Sequence, residues 1–221
     1  KKIVLEAIKI DGTLISYADK SLTKDREVIL HAVKGHGGAL EYADDAFKKD
    51  REIVLEAVKQ FGSAIRYADE NFRKDNEIVL EAVKKDGYAL EYANDSFKKK
   101  KEIVLIAVKC EGSAIQFADD SFKKDKEIVY EAVKQYGDAL EYVDDAFKKN
   151  KEIVLEAVKN SGRSFDYVDE DLKYNKDVII EAVRQYHSSA LDYIVEESLT
   201  KDKDIILELV KISGQNLKFA H

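Results

Sequence analysis

The sequence predicts an all-α fold: a superhelical α-solenoid of nine repeats of about 25 residues, each with one long helix and one short helix, α or 3-10. Two observations lead to this prediction. The segment 53–58 (Ile-Val-Leu-Glu-Ala-Val) has near copies along the chain, the first eight of them 25 residues apart. No useful stretch alternates polar and apolar residues with a period of two, as a half-buried strand would.

The composition narrows the class of protein. The 221 residues carry a formal net charge of −7, with one Cys and no Pro, Met or Trp. A single Cys cannot form an internal disulfide, which excludes a small scaffold stapled by bridges. The acidic balance argues against a general nucleic-acid binder, which needs positive charge near the phosphates. No apolar run approaches the ~18 residues of a membrane span. We expect a cytoplasmic protein, or one delivered to a host cell as part of an effector.

The repeats predict one continuous array over residues 1–221, taken from a longer protein because Lys1 already falls inside the first repeat. The eighth repeat, at 175–201, is irregular and 27 residues long. His187 stands where other repeats have Gly, and Ser188-Ser189 adds one residue. This predicts either a tolerated insertion that changes the pitch of the superhelix, or a hinge or cap-like transition.

The long helix of each repeat is expected to begin at an acidic cap. If Asp50 is position 1 of the third repeat, positions 4, 5, 6, 8 and 9 are apolar. They cover an arc of about 200°, which suits a helix packed between two neighbours. Asp50 is the predicted N-cap, and Glu52 lies where the helix dipole favours a carboxylate. Lys or Arg at position 10 lies near the C-terminal end, where a cation is favoured.

A glycine follows the long helix at position 13 in eight of the nine repeats. We expect it to be the left-handed residue that ends many helices, which gives a long helix of about twelve residues. The next apolar cluster, such as 63–68, is six residues long and fits one short helix. The glycines are Gly12, Gly37, Gly62, Gly87, Gly112, Gly137, Gly162 and Gly214.

An acidic pair and an apolar anchor follow the short helix. In the second repeat the pair is Asp44-Asp45 and the anchor is Phe47. Asp after a helix commonly caps a turn, and the Lys pair 48–49 supplies counter-charge nearby. The alternative is a ladder of carboxylates that binds Ca²⁺, which takes six to eight oxygen ligands. The capping role is the prediction.

The motif of residues 49–70, Lys-Asp-Arg-Glu-Ile-Val-Leu-Glu-Ala-Val-Lys-Gln-Phe-Gly-Ser-Ala-Ile-Arg-Tyr-Ala-Asp-Glu, resembles a known helical repeat. It is similar to the tandem repeats of the domain of unknown function four-one-one-six, found in bacterial and protist proteins. The resemblance covers essentially the whole chain and implies an α-helical array. It implies no activity or catalytic residue, because the family has none assigned. The alternation of long and short helices is also similar to leucine-rich-variant repeats, in architecture only.

No group of residues points to catalysis, a cofactor or a metal. Cys110 is the only thiol, and no Gly-rich phosphate loop is present. His31 and His36 are five residues apart, whereas a spacing of four places two metal ligands on one helix face. We therefore expect a chain without enzymatic activity, cofactor or metal.

Two columns of residues recur along the chain. The basic residues at position 10 could follow a phosphate backbone, but Lys59 lies three residues after Glu56, and such pairing explains the column. The aromatic residues at position 18, such as Tyr67, could stack on bases. Because two of them are Phe and their neighbours are apolar, we predict that they fill the seam between repeats.

The side chains that differ most between repeats occupy positions 14 and 17, one turn apart on the short helix. A partner lying along this ridge would meet a different pair in each repeat, whereas the alternative is drift of an unconstrained surface. The pairs are Thr13/Ser16, Gly38/Glu41, Ser63/Arg66, Tyr88/Glu91, Ser113/Gln116, Asp138/Glu141 and Arg163/Asp166. The candidate partner-binding residues are Arg66, Tyr88, Glu91, Gln116, Asp138, Glu141, Arg163 and Asp166.

A further candidate is Ile106, which stands where most repeats have Glu on the long helix. With Cys110 one turn later it could anchor a partner or a neighbouring chain, although a scattered surface residue is the simpler explanation. The predicted function is a non-enzymatic scaffold that binds a protein or peptide. The alternatives are a modular nucleic-acid-binding array and a passive spacer or targeting arm of a larger effector or enzyme.

Overall fold

The computed structural model describes residues 1–185, 201–212 and 214. These residues form helices and turns, and none of them lies in a β-strand, which confirms the all-α prediction for this part of the chain. The chain divides into two compact units, an N-terminal unit of residues 1–119 and a C-terminal unit of residues 120–221. The single continuous array stays a prediction. His187 and the inserted serines of the eighth repeat lie outside the described residues.

Each described repeat begins with a long α-helix of nine or ten residues. Asp50 confirms the predicted cap, because its Oδ1 accepts hydrogen bonds from the backbone N–H groups of Glu52 and Ile53 at 3.0 and 3.3 Å. The helix is shorter than the twelve residues expected, since Phe61 at position 12 is already extended, with φ −144°. The long helices are α1 (Lys2–Ile10), α2 (Arg26–Gly35), α3 (Arg51–Gln60), α4 (Asn76–Lys85), α5 (Lys101–Cys110), α6 (Lys126–Gln135), α7 (Lys151–Asn160), α8 (Lys176–Arg184) and α9 (Lys203–Ile212).

A 3-10 helix follows each long helix from the first repeat to the seventh, as the short apolar cluster predicts. Asp11 and Asp86 cap two of these helices by accepting hydrogen bonds from the backbone N–H groups of Thr13 and Tyr88. The 3-10 helices are η1 (Gly12–Tyr17), η2 (Gly37–Tyr42), η3 (Gly62–Tyr67), η4 (Gly87–Glu91), η5 (Gly112–Phe117), η6 (Gly137–Tyr142) and η7 (Gly162–Tyr167).

The glycine at position 13 begins the 3-10 helix and does not end the long helix. The prediction of a left-handed stop is wrong, because the five glycines named below have no positive φ. Their role is to let two backbones meet. A Cβ at any of them would lie 2.0–2.5 Å from the carbonyl oxygen of the Ala at position 8 of the next long helix, and the five are Gly12, Gly37, Gly62, Gly87 and Gly137.

A third helical segment, which the sequence analysis did not predict, connects each 3-10 helix to the next repeat. Asp44 caps one of these connectors by accepting a hydrogen bond from the N–H of Ala46 at 3.1 Å, and Lys48 Nζ lies 3.4 Å from Asp45 Oδ1. The capping role of the acidic pair is thereby confirmed. Through the first six repeats a three-residue 3-10 turn alternates with a four-residue α-turn, and the described connectors are Leu22–Lys24, Asp45–Lys48, Phe72–Lys74, Asp95–Lys98, Phe122–Lys124, Asp145–Lys148 and Glu170–Lys173.

Successive repeats stack within each compact unit. In the N-terminal unit each helix from α1 to α5 packs on the next, as does each helix from η1 to η5, and α6–α9 and η6–η7 do the same in the C-terminal unit. Positions 4, 5, 8, 9 and 16 form the core of a layer, and in the third repeat they are fully buried. The connectors add one backbone hydrogen bond per step, such as that from the Asp69 N–H to the Lys48 carbonyl at 3.0 Å.

Ion pairs join the N-termini of successive long helices. Arg26 lies 3.0 Å from Asp50 and 2.5 Å from Glu52, both in the next repeat. The fifth repeat departs from this pattern, because Lys100 replaces the Asp at position 1 and Asn76 is the residue facing it. Lys100 Nζ lies 3.5 Å from Asn76 Oδ1, so two facing cations are avoided. The equivalent basic residues elsewhere are Lys1, Arg51, Lys126, Lys151 and Lys176.

Candidate binding surface

The predicted ridge comprises positions 14 and 17 of the 3-10 helices, and the structure divides these positions by exposure. At position 14, Tyr88 and Arg163 are exposed, whereas Ser63, Ser113 and Asp138 are buried. The exposed part of the predicted ridge is therefore position 17 together with Tyr88 and Arg163 of position 14. At position 17 the side chains are exposed except for half-buried Gln116, and the exposed ones are Ser16, Glu41, Arg66, Glu91, Glu141 and Asp166.

The aromatic column at position 18 belongs to the ridge as well. Tyr17 and Tyr42 are 87% and 40% exposed, and the other described rings of the column are half-buried, namely those of Tyr67, Tyr92, Phe117, Tyr142 and Tyr167. The prediction that these rings fill a buried seam is wrong for Tyr17 and Tyr42, because the residues at position 16, such as Ile65, fill the core. The tyrosine hydroxyl present in most copies was the sequence signal for exposure, since a phenol suits a surface that is partly apolar and partly in contact with water.

In the N-terminal unit, one cluster of ridge residues holds a guanidinium between repeats. The Cζ of Arg66 lies 4.5 Å from the ring centroid of Tyr67, and its Nη2 donates a hydrogen bond to the Tyr67 hydroxyl. The Tyr67 hydroxyl, and next that of Tyr92, raise the pKa of Arg66. Burial raises the pKa of Tyr67, and Glu41 raises it further against the opposing effect of Arg66. We call Glu41, Arg66, Tyr67 and Tyr92 the Arg66 cluster.

Tyr88 and Gln116 are engaged by their own chain. The Tyr88 hydroxyl lies 2.6 Å from Ser113 Oγ, and its ring centroid is 5.9 Å from that of Phe117 with the rings at 70°. Gln116 Nε2 donates a hydrogen bond to the Ser113 carbonyl at 3.0 Å. These contacts hold both side chains against their neighbours, and Tyr88 remains 39% exposed. Glu91 is exposed at the end of η4.

In the C-terminal unit, a second cluster surrounds a buried carboxylate. Asp138 is 6% exposed and its Oδ1 has no hydrogen-bond partner, while its Oδ2 lies 3.7 Å from Arg163 Nε. The Tyr167 hydroxyl, and next the Asp138 carboxylate, raise the pKa of Arg163. Burial and then Glu141 raise the pKa of both Tyr142 and Tyr167. We call Asp138, Glu141, Tyr142, Arg163 and Tyr167 the Asp138 cluster.

Ile106 is not brought to the ridge. It lies half-buried on the long helix α5, as does Cys110, whose Sγ is 3.9 Å from the Lys84 carbonyl oxygen. Over residues 1–185, 201–212 and 214, no three His, Cys, Asp or Glu side chains are grouped as a metal site. None of the helices in those ranges is long and apolar enough to cross a bilayer.

Comparison with protein families matches the chain to one family in four consecutive stretches, residues 1–48, 50–98, 100–148 and 150–197. Each stretch spans two of the 25-residue repeats and therefore has the double period of the alternating connectors. Comparisons with curated proteins and with solved structures gave no match. The four matches cover most of the chain, which therefore belongs to the family Domain of unknown function (DUF4116).

Proposed function

We propose that this chain is a non-enzymatic repeat scaffold that binds a protein or peptide along the ridge, and that its nine repeats continue as one superhelical α-solenoid in the cytoplasm. The observation that carries the proposal is a contrast within each repeat. The 3-10 helix recurs in each of the first seven repeats, whereas the exposed side chain at position 17 changes from Glu41 to Arg66 to Glu91. In repeat proteins, surfaces of this kind bind extended partners.

The chemistry of the ridge favours a basic partner. Glu41, Glu91 and Glu141 recur at every second repeat, and each is followed by a tyrosine. Tyrosine is enriched in protein interfaces because a large rigid ring carries a polar end. Stacked helices lie about 8–10 Å apart. An extended peptide rises about 3.3 Å per residue, so about every third residue of a partner would face a new repeat.

A displayed library of random peptides, selected on the immobilised 221-residue chain, tests the proposal. We expect enriched peptides that lose binding to the ridge variants Glu91→Lys and Glu141→Lys, one in each compact unit. The matched controls are Glu56→Lys and Glu156→Lys, which reverse the same charge on the long helices α3 and α7. The controls should keep binding, because neither residue lies on the ridge.

Two outcomes would contradict the proposal. Enriched peptides that bind all four variants equally would show that the ridge is not the binding surface. If no peptide is enriched and a gel shift with single-stranded nucleic acid appears only at low salt, the nucleic-acid alternative replaces it, because such binding weakens steeply with salt. Absence of both interactions would favour the passive spacer.

A further inference from the structure

We propose that the Asp138 cluster binds the guanidinium of an arginine side chain presented by the partner. This inference rests on the proposed function, because it names the chemistry of one subsite on the ridge. It follows from three observations: a buried carboxylate oxygen of Asp138 without a hydrogen bond, a related cluster that already holds an arginine, and the limited pairing of Arg163 with Asp138.

The first observation is that one oxygen of Asp138, Oδ1, has no hydrogen-bond donor. Other buried side chains at position 14 have partners: Ser63 Oγ donates to the Asp86 carboxylate, and Ser113 Oγ is 2.6 Å from the Tyr88 hydroxyl. Asp138 instead keeps one carboxylate oxygen buried without a hydrogen bond. A buried charged oxygen without a donor is unfavourable, so its retention in place of Ser points to a donor supplied from outside the chain.

The second observation is the Arg66 cluster, which shows what this arrangement of residues holds. Four repeats later along the chain, Glu141 and Tyr167 stand at the positions of Glu41 and Tyr67. The residue at the position of Arg66, however, is Asp166. The later set therefore keeps the tyrosine on which the Arg66 guanidinium lies and the carboxylate that acts on that tyrosine, and it has an acid at the position from which the guanidinium came.

The third observation is that Arg163 pairs with only one of the two oxygens of Asp138. Its side chain is 69% exposed, and its Nε lies 3.7 Å from Asp138 Oδ2. Charge-assisted hydrogen bonds to carboxylates are typically about 2.7–2.9 Å, so the contact is an ion pair without a hydrogen bond. The cluster as defined holds two carboxylates, Asp138 and Glu141, and one guanidinium, that of Arg163. An arginine fits better than a lysine, because its planar head pairs with carboxylates and stacks on tyrosine rings.

Fluorescence anisotropy with a labelled tetra-arginine peptide and the full 221-residue chain tests the subsite. We expect binding, and at least about tenfold weaker binding of the tetra-citrulline peptide, which has the same shape without charge. Asp138→Asn should weaken tetra-arginine binding at least about fivefold. Asp45→Asn removes one exposed carboxylate from a connector away from the ridge and should leave the affinity within about twofold, as expected of a distant exposed charge.

Glu141→Gln, a second variant at an exposed position, should also weaken the binding of tetra-arginine. Equal weakening by Asp138→Asn and Asp45→Asn would overturn the proposal, because it would indicate unspecific attraction to an acidic chain. Failure of the wild-type chain to bind tetra-arginine would also overturn it. Selected peptides that need the ridge but bind Asp138→Asn and Glu141→Gln unchanged would leave the scaffold function standing and remove the arginine subsite.

Discussion

The 3-10 helices carry both the ridge and the close contact of the position-13 glycine with the next long helix, which we call the glycine seam. The two differ in how far the residue type varies between repeats. At the seam, the glycine of position 13 meets the alanine of position 8 at each of five described steps, so closely that a Cβ on the glycine would lie 2.0–2.5 Å from the alanine carbonyl oxygen. At position 14, one residue later, the side chain is Ser63, Tyr88, Asp138 or Arg163. Stacking of the repeats therefore requires glycine at these five steps, whereas the next position accepts side chains of different size and charge.

The largest effect is expected where the seam is broken. Gly37→Ala places a methyl group 2.1 Å from the Ala57 carbonyl oxygen, and a backbone oxygen cannot move aside without shifting α3. Overpacking costs about 1–3 kcal/mol, and we expect the upper end here because the contact is with a backbone atom. For a chain of this length that corresponds to a fall in Tm on the order of 5–10 °C, measurable by circular dichroism.

Gly38→Ala is the matched control, since it makes the same change one residue later. Its Cβ would meet the His36 side chain at 2.9 Å, and the exposed imidazole can rotate only by giving up the hydrogen bond that its Nδ1 accepts from the Gly38 N–H. We expect a loss of no more than about 1 kcal/mol, the typical contribution of a helix cap and well below the loss expected for Gly37→Ala. Equal destabilisation by Gly37→Ala and Gly38→Ala would show that the two positions are not distinguished by the seam.

The next effect tests the ridge. Asp138→Ser restores the residue type found at position 14 in Ser63 and Ser113, and it removes a buried oxygen that lacks a donor. Such groups cost about 1–3 kcal/mol, so urea denaturation should show a gain of about 1 kcal/mol in the free energy of unfolding. The same variant should bind tetra-arginine less tightly. A loss of stability would show that Asp138 is satisfied in the free protein.

The sequence predicted the parts of this fold that depend on local pattern. The cap at Asp50 and the short helix 63–68 follow from residue type and spacing alone, and both are confirmed. The role of Gly62 could not be predicted in this way. Its contact is with the Ala82 carbonyl, twenty residues away. In the sequence, a glycine after a helix looks the same whether it adopts a left-handed conformation or lets a neighbouring backbone come close.

The double period was available in the sequence and was missed. Leu-Glu-Tyr at 40–42, 90–92 and 140–142 alternates with Ile15, Ile65 and Ile115 in the other repeats. The clusters on the ridge were missed for a different reason. Glu41, Arg66 and Tyr92 belong to three successive repeats, and only stacking brings them together. Prediction from one repeat at a time cannot reveal a site that three repeats share.

A smaller effect concerns the ion pairs that join the N-termini of successive long helices. Helix α5 has no side-chain cap at Lys100, whereas Asp75 caps α4. Lys100→Asp should restore the cap and stabilise the chain by about 1 kcal/mol. Asn76→Arg alone should destabilise it by about 0.5 kcal/mol, because a cation would face Lys100. The double variant should then exceed Lys100→Asp alone in Tm, and strict additivity would exclude pairing between the two positions.

The smallest effect is the pH dependence of the ion pairs in the C-terminal unit. Glu208 lies 3.2 Å from Arg184 and 2.8 Å from Lys211, and these cations, Arg184 foremost, lower the pKa of Glu208 from 4.5 to about 2. A carboxyl group with a depressed folded pKa stabilises the protein fully above its unfolded pKa and loses that contribution as the pH falls through the folded value. The contribution should therefore be complete above pH 4.5 and disappear towards pH 2.

Thermal unfolding of Arg184→Gln and wild type between pH 7 and pH 2 measures this contribution. The wild type should unfold at a slightly higher temperature at pH 7, since exposed pairs contribute little. The difference should shrink below pH 4.5, because Glu208 is then protonated first in the unfolded chain. A difference that stays constant down to pH 2 would show that Arg184 acts through packing of its side chain between α8 and α9. Arg184 would then stabilise the packing of α8 on α9 through the fit of its side chain, and its charge pairing with Glu208 would contribute nothing measurable.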